Sequence, residues 1–212
     1  MSRQKLFDTW AQDYDELLKT TTDFPFTGYQ QVLSEVVTAA DVRPGMTLLD
    51  LGAGTGNLSE KLLKRGCRVY AADFSGAMLE VLHTKLPAVE PVELDLLSDW
   101  TVLGKRRFDR IVSSYALHEF ALPVKLKLLA QAERYLVRGG RIVTGDIAFS
   151  SVAARERARR IRRERWDEDE FYWAADETAA ALTPNLEMTF TEVSACAAVM
   201  SFQRRQHDLT SV

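Results

Sequence analysis

The stretch Leu48-Leu49-Asp50-Leu51-Gly52-Ala53-Gly54-Thr55-Gly56 limits what this chain can fold into more than any other segment. An apolar run of strand length ends in three alternate glycines, and residues of helical spacing follow from Asn57 to Arg65, where Gly66 stops them. Glycines at a strand-to-helix turn permit positive φ and let a ligand approach the backbone without meeting a Cβ. The helix N-terminus beyond them offers N–H groups that have no intrahelical partner. Such a turn suits a nucleotide-like ligand. The nicotinamide fingerprint is G-x-G-x-x-G. Here the third glycine comes one residue early and Asp50 precedes the loop inside the strand, which argues against a dehydrogenase.

The same change of period recurs along the chain. Strands are expected over Met46–Leu51, Arg68–Ala72, Val92–Leu94, Phe108–Ser114, and from the Gly139-Gly140 turn through Thr144. Helices are expected over Gly76–Lys85 and Pro123–Leu136, the latter with proline in its first turn. This alternation predicts an α/β fold with helices on both faces of a largely parallel sheet. Two further β-like runs, Glu187–Val193 and Ala195–Gln203, have no convincing helix between them and read as an antiparallel hairpin. The expected sheet therefore has seven strands. One domain over 1–212 is expected, divided into an N-terminal helical cap (1–45), a ligand-binding core (46–150), a helical insertion or lid (151–185) and a C-terminal hairpin (186–205).

Charge and composition narrow the partners. A net charge of -3 gives no global positive field for phosphate backbones, so nucleic acid is not expected. Arg155 to Arg165 carries seven arginines, but Glu156 and Glu164 interrupt it and Asp167 to Glu170 follows, so it reads as a solvated helix. No apolar run approaches the roughly 18 residues of a membrane span, and Met1 to Asp15 carries charges where a signal peptide is apolar; a cytoplasmic protein is expected. The two cysteines, Cys67 and Cys196, form no C-x-x-C pair and read as small buried hydrophobes.

Asp73 falls at the end of the second strand, about 20 residues beyond the glycine loop, where a carboxylate can accept both ribose hydroxyls of an adenosine. Asp95 falls at the end of the third. With these acids at successive strand tips, the chain from about Phe7 to Gly145 resembles the class I S-adenosylmethionine-dependent methyltransferases, whose fold is Rossmann-like. The resemblance implies S-adenosylmethionine as cofactor and S-adenosylhomocysteine as product. It also implies that LLDLGAGTG, including Asp50, Gly52, Ala53 and Gly54, forms the cofactor loop and that Asp73 binds the ribose. Asp95 and Leu96 would meet the adenine amino group, with Phe74 and Met78 covering its ring and Ser113 at the cofactor from strand four. The N-terminal FDTWAQDYDELL is similar to a stretch of the YrrT-like methyltransferases of bacilli. There Tyr14 would lie over the cofactor, and SSYALHEF and FYW have counterparts at Ser113 to Phe120 and Phe171 to Trp173.

Methyl transfer from a sulfonium is an in-line displacement, so the protein chiefly aligns the acceptor and excludes water. A neutral acceptor must also lose a proton. His118, leaving strand four, is the first candidate for a base, with a loop-shaping role as the alternative; Tyr115 is a second candidate and Glu119 a weaker one. SSYALHEF lacks the N/D-P-P-Y/F pattern of amino-methyltransferases that act on bases or glutamine, and no cysteine near strand four could serve as a nucleophile. Asp146 on strand five reads as isolated, so no metal is expected. Trp166, Phe171, Tyr172 and Trp173 in the insertion could wall an acceptor pocket or form an apolar core, with Trp10, Tyr29, Phe24 and Phe26 on the opposing side. The expected function is methylation of a small-molecule acceptor through oxygen, nitrogen or sulfur, by a monomer or homodimer. The alternatives are a non-catalytic S-adenosylmethionine-binding module and a methyltransferase acting on RNA or protein.

Overall fold

The computed structural model describes Asp15 and residues 23–205. Its strands are β1 (Thr47–Leu51), β2 (Arg68–Asp73), β3 (Glu90–Glu93), β4 (Phe108–Ser114), β5 (Leu136–Phe149), β6 (Trp173–Ala174), β7 (Leu186–Ser194) and β8 (Ala197–Arg204). Its helices are α1 (Tyr29–Ala39), α2 (Asn57–Leu63), α3 (Gly76–Lys85), α4 (Leu122–Glu133), α5 (Val152–Ile161) and α6 (Ala175–Ala181). The sheet order is β3-β2-β1-β4-β5-β8-β7, with the two-residue β6 pairing with β5 off this path. β1 to β5 run parallel, while β8 joins β5 and β7 joins β8 antiparallel. This is the Rossmann-like α/β architecture expected from the sequence, with its antiparallel C-terminal hairpin.

Side-chain alternation puts a core on each face. Leu48, Val112 and Val143 join Val32, Leu33 and Val36 of α1 and Leu58 and Leu62 of α2 on one side. Their neighbours Leu49, Ile111 and Ile142 point the other way and pack with Trp100, Phe108, Leu128, Leu129 and Phe202. α1 comes close because Gly145 lies beneath it; a Cβ there would stand 2.6 Å from both Val32 Cγ1 and Val36 Cγ2. Cys67 and Cys196 are buried, reduced thiols.

Element boundaries differ from expectation at three places. α4 stops at Glu133, and β5 starts at Leu136 and carries Gly139-Gly140 within it, because an irregularity in its register with β4 between Phe108 and Arg110 absorbs them. β5 also runs on to Phe149 rather than Thr144. β3 starts earlier than expected, at Glu90, and is mostly exposed; its Pro91 is tolerated because β3 is an edge strand. α5 buries none of its residues, as a solvated helix should. Arg155 bonds Glu177 at 3.0 Å, Arg165 bonds Asp23 at 2.9 Å, and Arg159 pairs with Glu168. No helix among the described residues is long and apolar enough to cross a membrane.

Candidate active site

The chain goes from β1 outward to β3, then returns to β4 on the other side of β1, so the carboxyl ends of β1 and β4 form the crevice where ligands bind in open α/β sheets. A cleft of about 920 Å³, counting the space at its mouth, opens there. Gly52, Ala53, Gly54 and Thr55 from β1, Asp73 and Phe74 from β2, and Leu94, Asp95 and Leu96 after β3 line one part of it. Ser114, Tyr115 and Ala116 line another, along with Met78 of α3, Tyr29 of α1, Asn57 and Leu58 of α2, and Glu119 and Phe120.

The glycine loop has two distinct steric requirements. Gly52 has φ +65°, and a Cβ on it would lie 2.4 Å from the Cβ of Ala116, so a side chain here would collide with the turn after β4. Gly54 has φ +54°, and a Cβ on it would meet nothing within 4 Å; the space it leaves belongs to the cleft. Asp73 closes the loop from the β2 side. Its Oδ2 accepts the Gly54 N–H at 2.8 Å and its Oδ1 accepts the Ser75 N–H at 2.9 Å, so the carboxylate is fixed beside the glycines. Asp95 caps its own turn, accepting the Leu97 N–H at 2.9 Å.

Two expected residues lie under the cleft. Asp50 is fully buried, with Oδ2 accepting from Ser59 Oγ at 2.7 Å and Oδ1 without a hydrogen-bond partner among the described residues. Burial, helped by the nearby Asp73 charge, pushes its carboxyl up to about 7. Ser113 is also buried and donates to the Leu51 carbonyl at 2.8 Å, while its neighbour Ser114 faces the cleft. Tyr14 and Trp10 lie outside the described residues. Asp15 is described: it accepts from Thr55 Oγ1 at 2.5 Å, Lys85 Nζ at 2.8 Å and Asn57 Nδ2 at 2.9 Å, tying the N-terminal segment to the start of α2. Burial would raise the Asp15 carboxyl, but the Lys85 ammonium and these hydrogen bonds outweigh it and hold it below the ordinary carboxylate range.

At the β4 end, Tyr115 adopts φ +48°, uncommon for a bulky side chain and an indication of local backbone strain. Its ring packs on Tyr29 and Phe26 at centroid distances of 5.1 and 5.4 Å. His118 is buried behind this surface and does not line the cleft; Glu119 does. Asp146 is not isolated, contrary to expectation. Its Oδ1 stands 2.6 Å from His118 Nδ1 and accepts the Ile147 N–H at 2.9 Å. Its Oδ2 accepts the His118 N–H at 2.9 Å and Trp173 Nε1–H at 3.2 Å. Burial works against charge on both partners, yet the pairing dominates: His118 is held above the ordinary imidazole range and Asp146 below the ordinary carboxylate range.

The aromatics of the insertion lie elsewhere. Trp166, Phe171, Tyr172 and Trp173 line a second cavity together with Lys125, Arg155 and Glu170, and Phe171 is the most exposed of these aromatics. Trp166 stacks on Phe24 and Phe149 and meets Tyr172 edge-on at 4.5 Å. Trp173 is buried against Phe202, with the Lys125 ammonium 4.2 Å above its ring. Lys125 also donates to the Phe171 carbonyl, and burial lowers its ammonium to about 7. Asn57, Thr55 and Ser114 in the cleft, and Asp146 and Glu170 behind it, were not singled out as site residues. Asn57 and Thr55 could have been found as the first residues after the glycine loop. Glu170 sits in an acidic run that reads as solvated, so no local signal marks it.

Residues 48–140 match a family model described as a methyltransferase domain. An uncharacterized methyltransferase of Alkaliphilus oremlandii is 34% identical over 151 residues, spanning 69% of this chain and 68% of that protein. One of Geobacillus sp. strain WCH70 is 34% identical over 164 residues, spanning 76% and 74%. In fold, the chain is similar to DhpI solved with S-adenosylhomocysteine, with a TM-score of 0.73 at 19% identity over 97% of this chain and 96% of that one. Fold and crevice thus define a Rossmann-like transferase. The chain belongs to the S-adenosylmethionine-dependent methyltransferases. Its methyl donor is S-adenosylmethionine.

Proposed function

We propose that this enzyme methylates a small-molecule acceptor seated between Tyr29, Tyr115, Glu119 and Phe120. The observation that carries the reading is the continuity of one cleft from the Asp73–Asp95 tips to these residues. When bound, S-adenosylmethionine supplies an electrophilic methyl group on a sulfonium. Asp73 binds the ribose from the β2 tip, where the Gly54 and Ser75 N–H groups fix its carboxylate beside the glycines. Gly52, Ala53 and Gly54 give the methionine moiety a side-chain-free approach, and Asp50 supports that loop from below through Ser59. Phe74 and Met78 cover the adenine, with Asp95 and Leu96 at its amino edge. Ser113 holds the β4 tip against β1 through Leu51.

At the acceptor end, Tyr29, Ser114, Tyr115 and Glu119 are polar groups on the cleft surface, and Glu119 is the acidic one. Glu119 Oε1 stands 3.6 Å from His118 Nε2, whose other nitrogen is anchored on Asp146. Glu119 is thus placed to receive a proton from a neutral acceptor, and His118 acts through it as a positioning residue. The aromatics Trp166, Tyr172 and Trp173 stiffen the wall behind. A small acceptor is favoured over RNA or protein because Arg155, Arg159 and Arg165 in the arginine-rich stretch are paired with Glu177, Glu168 and Asp23.

The test is incubation of the purified enzyme with methyl-labelled cofactor and a metabolite extract, then with RNA and protein fractions. Label in a small product, reduced at least tenfold by Glu119→Gln, is expected. Label confined to macromolecules, or no label at all despite cofactor binding, would contradict the reading.

A further inference from the structure

His118 Nε2, Glu119 Oε1 and Glu170 Oε1 converge on one point in the wall between the two cavities: Nε2 is 3.6 Å from Glu119 and 3.5 Å from Glu170, and all three atoms lie within 4.8 Å of one another. These separations exceed the roughly 2.7–2.9 Å of a direct charge-assisted N–H···O bond. The two His118–glutamate separations match instead the spacing of ligands around a shared ion, since atoms about 2.1 Å from a tetrahedral centre lie about 3.4 Å apart. The side chains are sheltered, with 6%, 16% and 18% of their surfaces exposed.

We propose that His118, Glu119 and Glu170 form a binding site for a divalent transition cation, of the zinc or manganese type. One imidazole and two carboxylates are a donor set such ions accept, and three protein ligands leave positions open for solvent or substrate. Behind the ligands stands the support that metal-bound histidines require. His118 Nδ1 is 2.6 Å from Asp146 Oδ1, which turns Nε2 toward the two glutamates and raises its basicity, and Asp146 is itself held by Ile147 N–H and Trp173 Nε1–H. Lys125 is engaged by the Phe171 carbonyl and the Trp173 ring rather than by the glutamates.

Glu119 lines the cofactor cleft and Glu170 the second cavity, so the ion would occupy the partition at the acceptor end. This placement deepens the proposed acceptor site and rests on it. A cation there would lower the pKa of an acceptor hydroxyl by its charge, so that Glu119, when it ligates the ion, is not needed as the base.

The experiment titrates the chelator-stripped full chain with Mn²⁺, following loss of the free-ion electron paramagnetic resonance signal, and repeats the titration with Zn²⁺ by calorimetry. One saturable site per chain is expected, weakened more than about tenfold in Glu170→Gln and about 10–100-fold in Asp146→Asn. Glu170→Gln is the safer variant because its side chain is partly exposed. S-adenosylhomocysteine binding, measured on the same samples, reports on the cofactor cleft separately. Absence of saturable uptake by a chain that still binds S-adenosylhomocysteine would overturn the cation site alone, as would equal uptake by wild type and Glu170→Gln.

Discussion

Asp50 and Asp146 are both fully buried carboxylates on neighbouring parts of one sheet, yet their acidities move in opposite directions. Asp50, under the cofactor loop, has one hydroxyl donor and one oxygen without a hydrogen bond, and burial pushes it up to about 7. Asp146, behind the acceptor end, accepts from the His118 ring and backbone, Trp173 and Ile147, and stays charged. Burial by itself does not decide the charge of an acid; a positive partner beside it, as His118 is for Asp146, and the donors aimed at it do. The glycine-loop side of the cleft is accordingly a matter of backbone shape, and the side behind β4 and β5 one of buried charge.

The largest expected effect breaks the better-supplied acid. Asp146→Ala leaves His118 without its counter-charge and should destabilise the protein by about 3–5 kcal/mol in denaturant unfolding. Asp50→Asn, by contrast, should unfold within about 1 kcal/mol of wild type near pH 6.

On the cofactor side the contrast is between two glycines. Gly52→Ala sets a methyl against Ala116 at positive φ and should cost about 2–4 kcal/mol, part of it recovered by adding Ala116→Gly. Gly54→Ala meets no protein atom, so it should cost only about 1–2 kcal/mol of stability while weakening S-adenosylhomocysteine binding tenfold or more in calorimetry. Equal stability of the two variants would remove the distinction drawn between them.

A smaller effect is the dependence on pH. Asp50 and His118 both have folded-state values raised above their ordinary 3.8 and 6.5, so each contributes stability that is complete below the ordinary value and lost as pH rises through the folded one. Asp146, lowered below 3.8, contributes stability that is present above that value and lost as pH falls through the folded one. The melting temperature should therefore decline from about pH 4 to 7 through Asp50 and further above about 6.5 through His118, the first part being less steep in Asp50→Asn; an unchanged slope there in that variant would mean Asp50 is not the source. The smallest change is expected on the surface: Arg159→Ala should lower stability by less than about 1 kcal/mol, since both it and its partner Glu168 are solvated.

The contrast between the halves also explains what could be read in advance. β1, the glycine turn, α2 and Asp73 lie within one stretch whose period, glycine spacing and acid all point to the same fold, so the cofactor side was legible. β3 was harder because its Glu-Pro-Val-Glu sequence is polar, as an exposed edge strand allows, and Gly139-Gly140 imitated a turn inside β5. At the acceptor end, 28 residues separate His118 from Asp146, and Glu170 comes from a third segment. No local pattern joins these residues; the sheet order does, by setting β5 beside β4 and β6 beside β5.

The central claim is that the tips of β1, β2 and β3 cradle the cofactor through Asp73. Calorimetry with S-adenosylhomocysteine on wild type and Asp73→Ala, each first shown folded by circular dichroism, tests it most directly. One site per chain, weakened about a hundredfold in the variant, is the predicted result, since two charge-assisted hydrogen bonds are lost. The same affinity in both proteins would contradict the account.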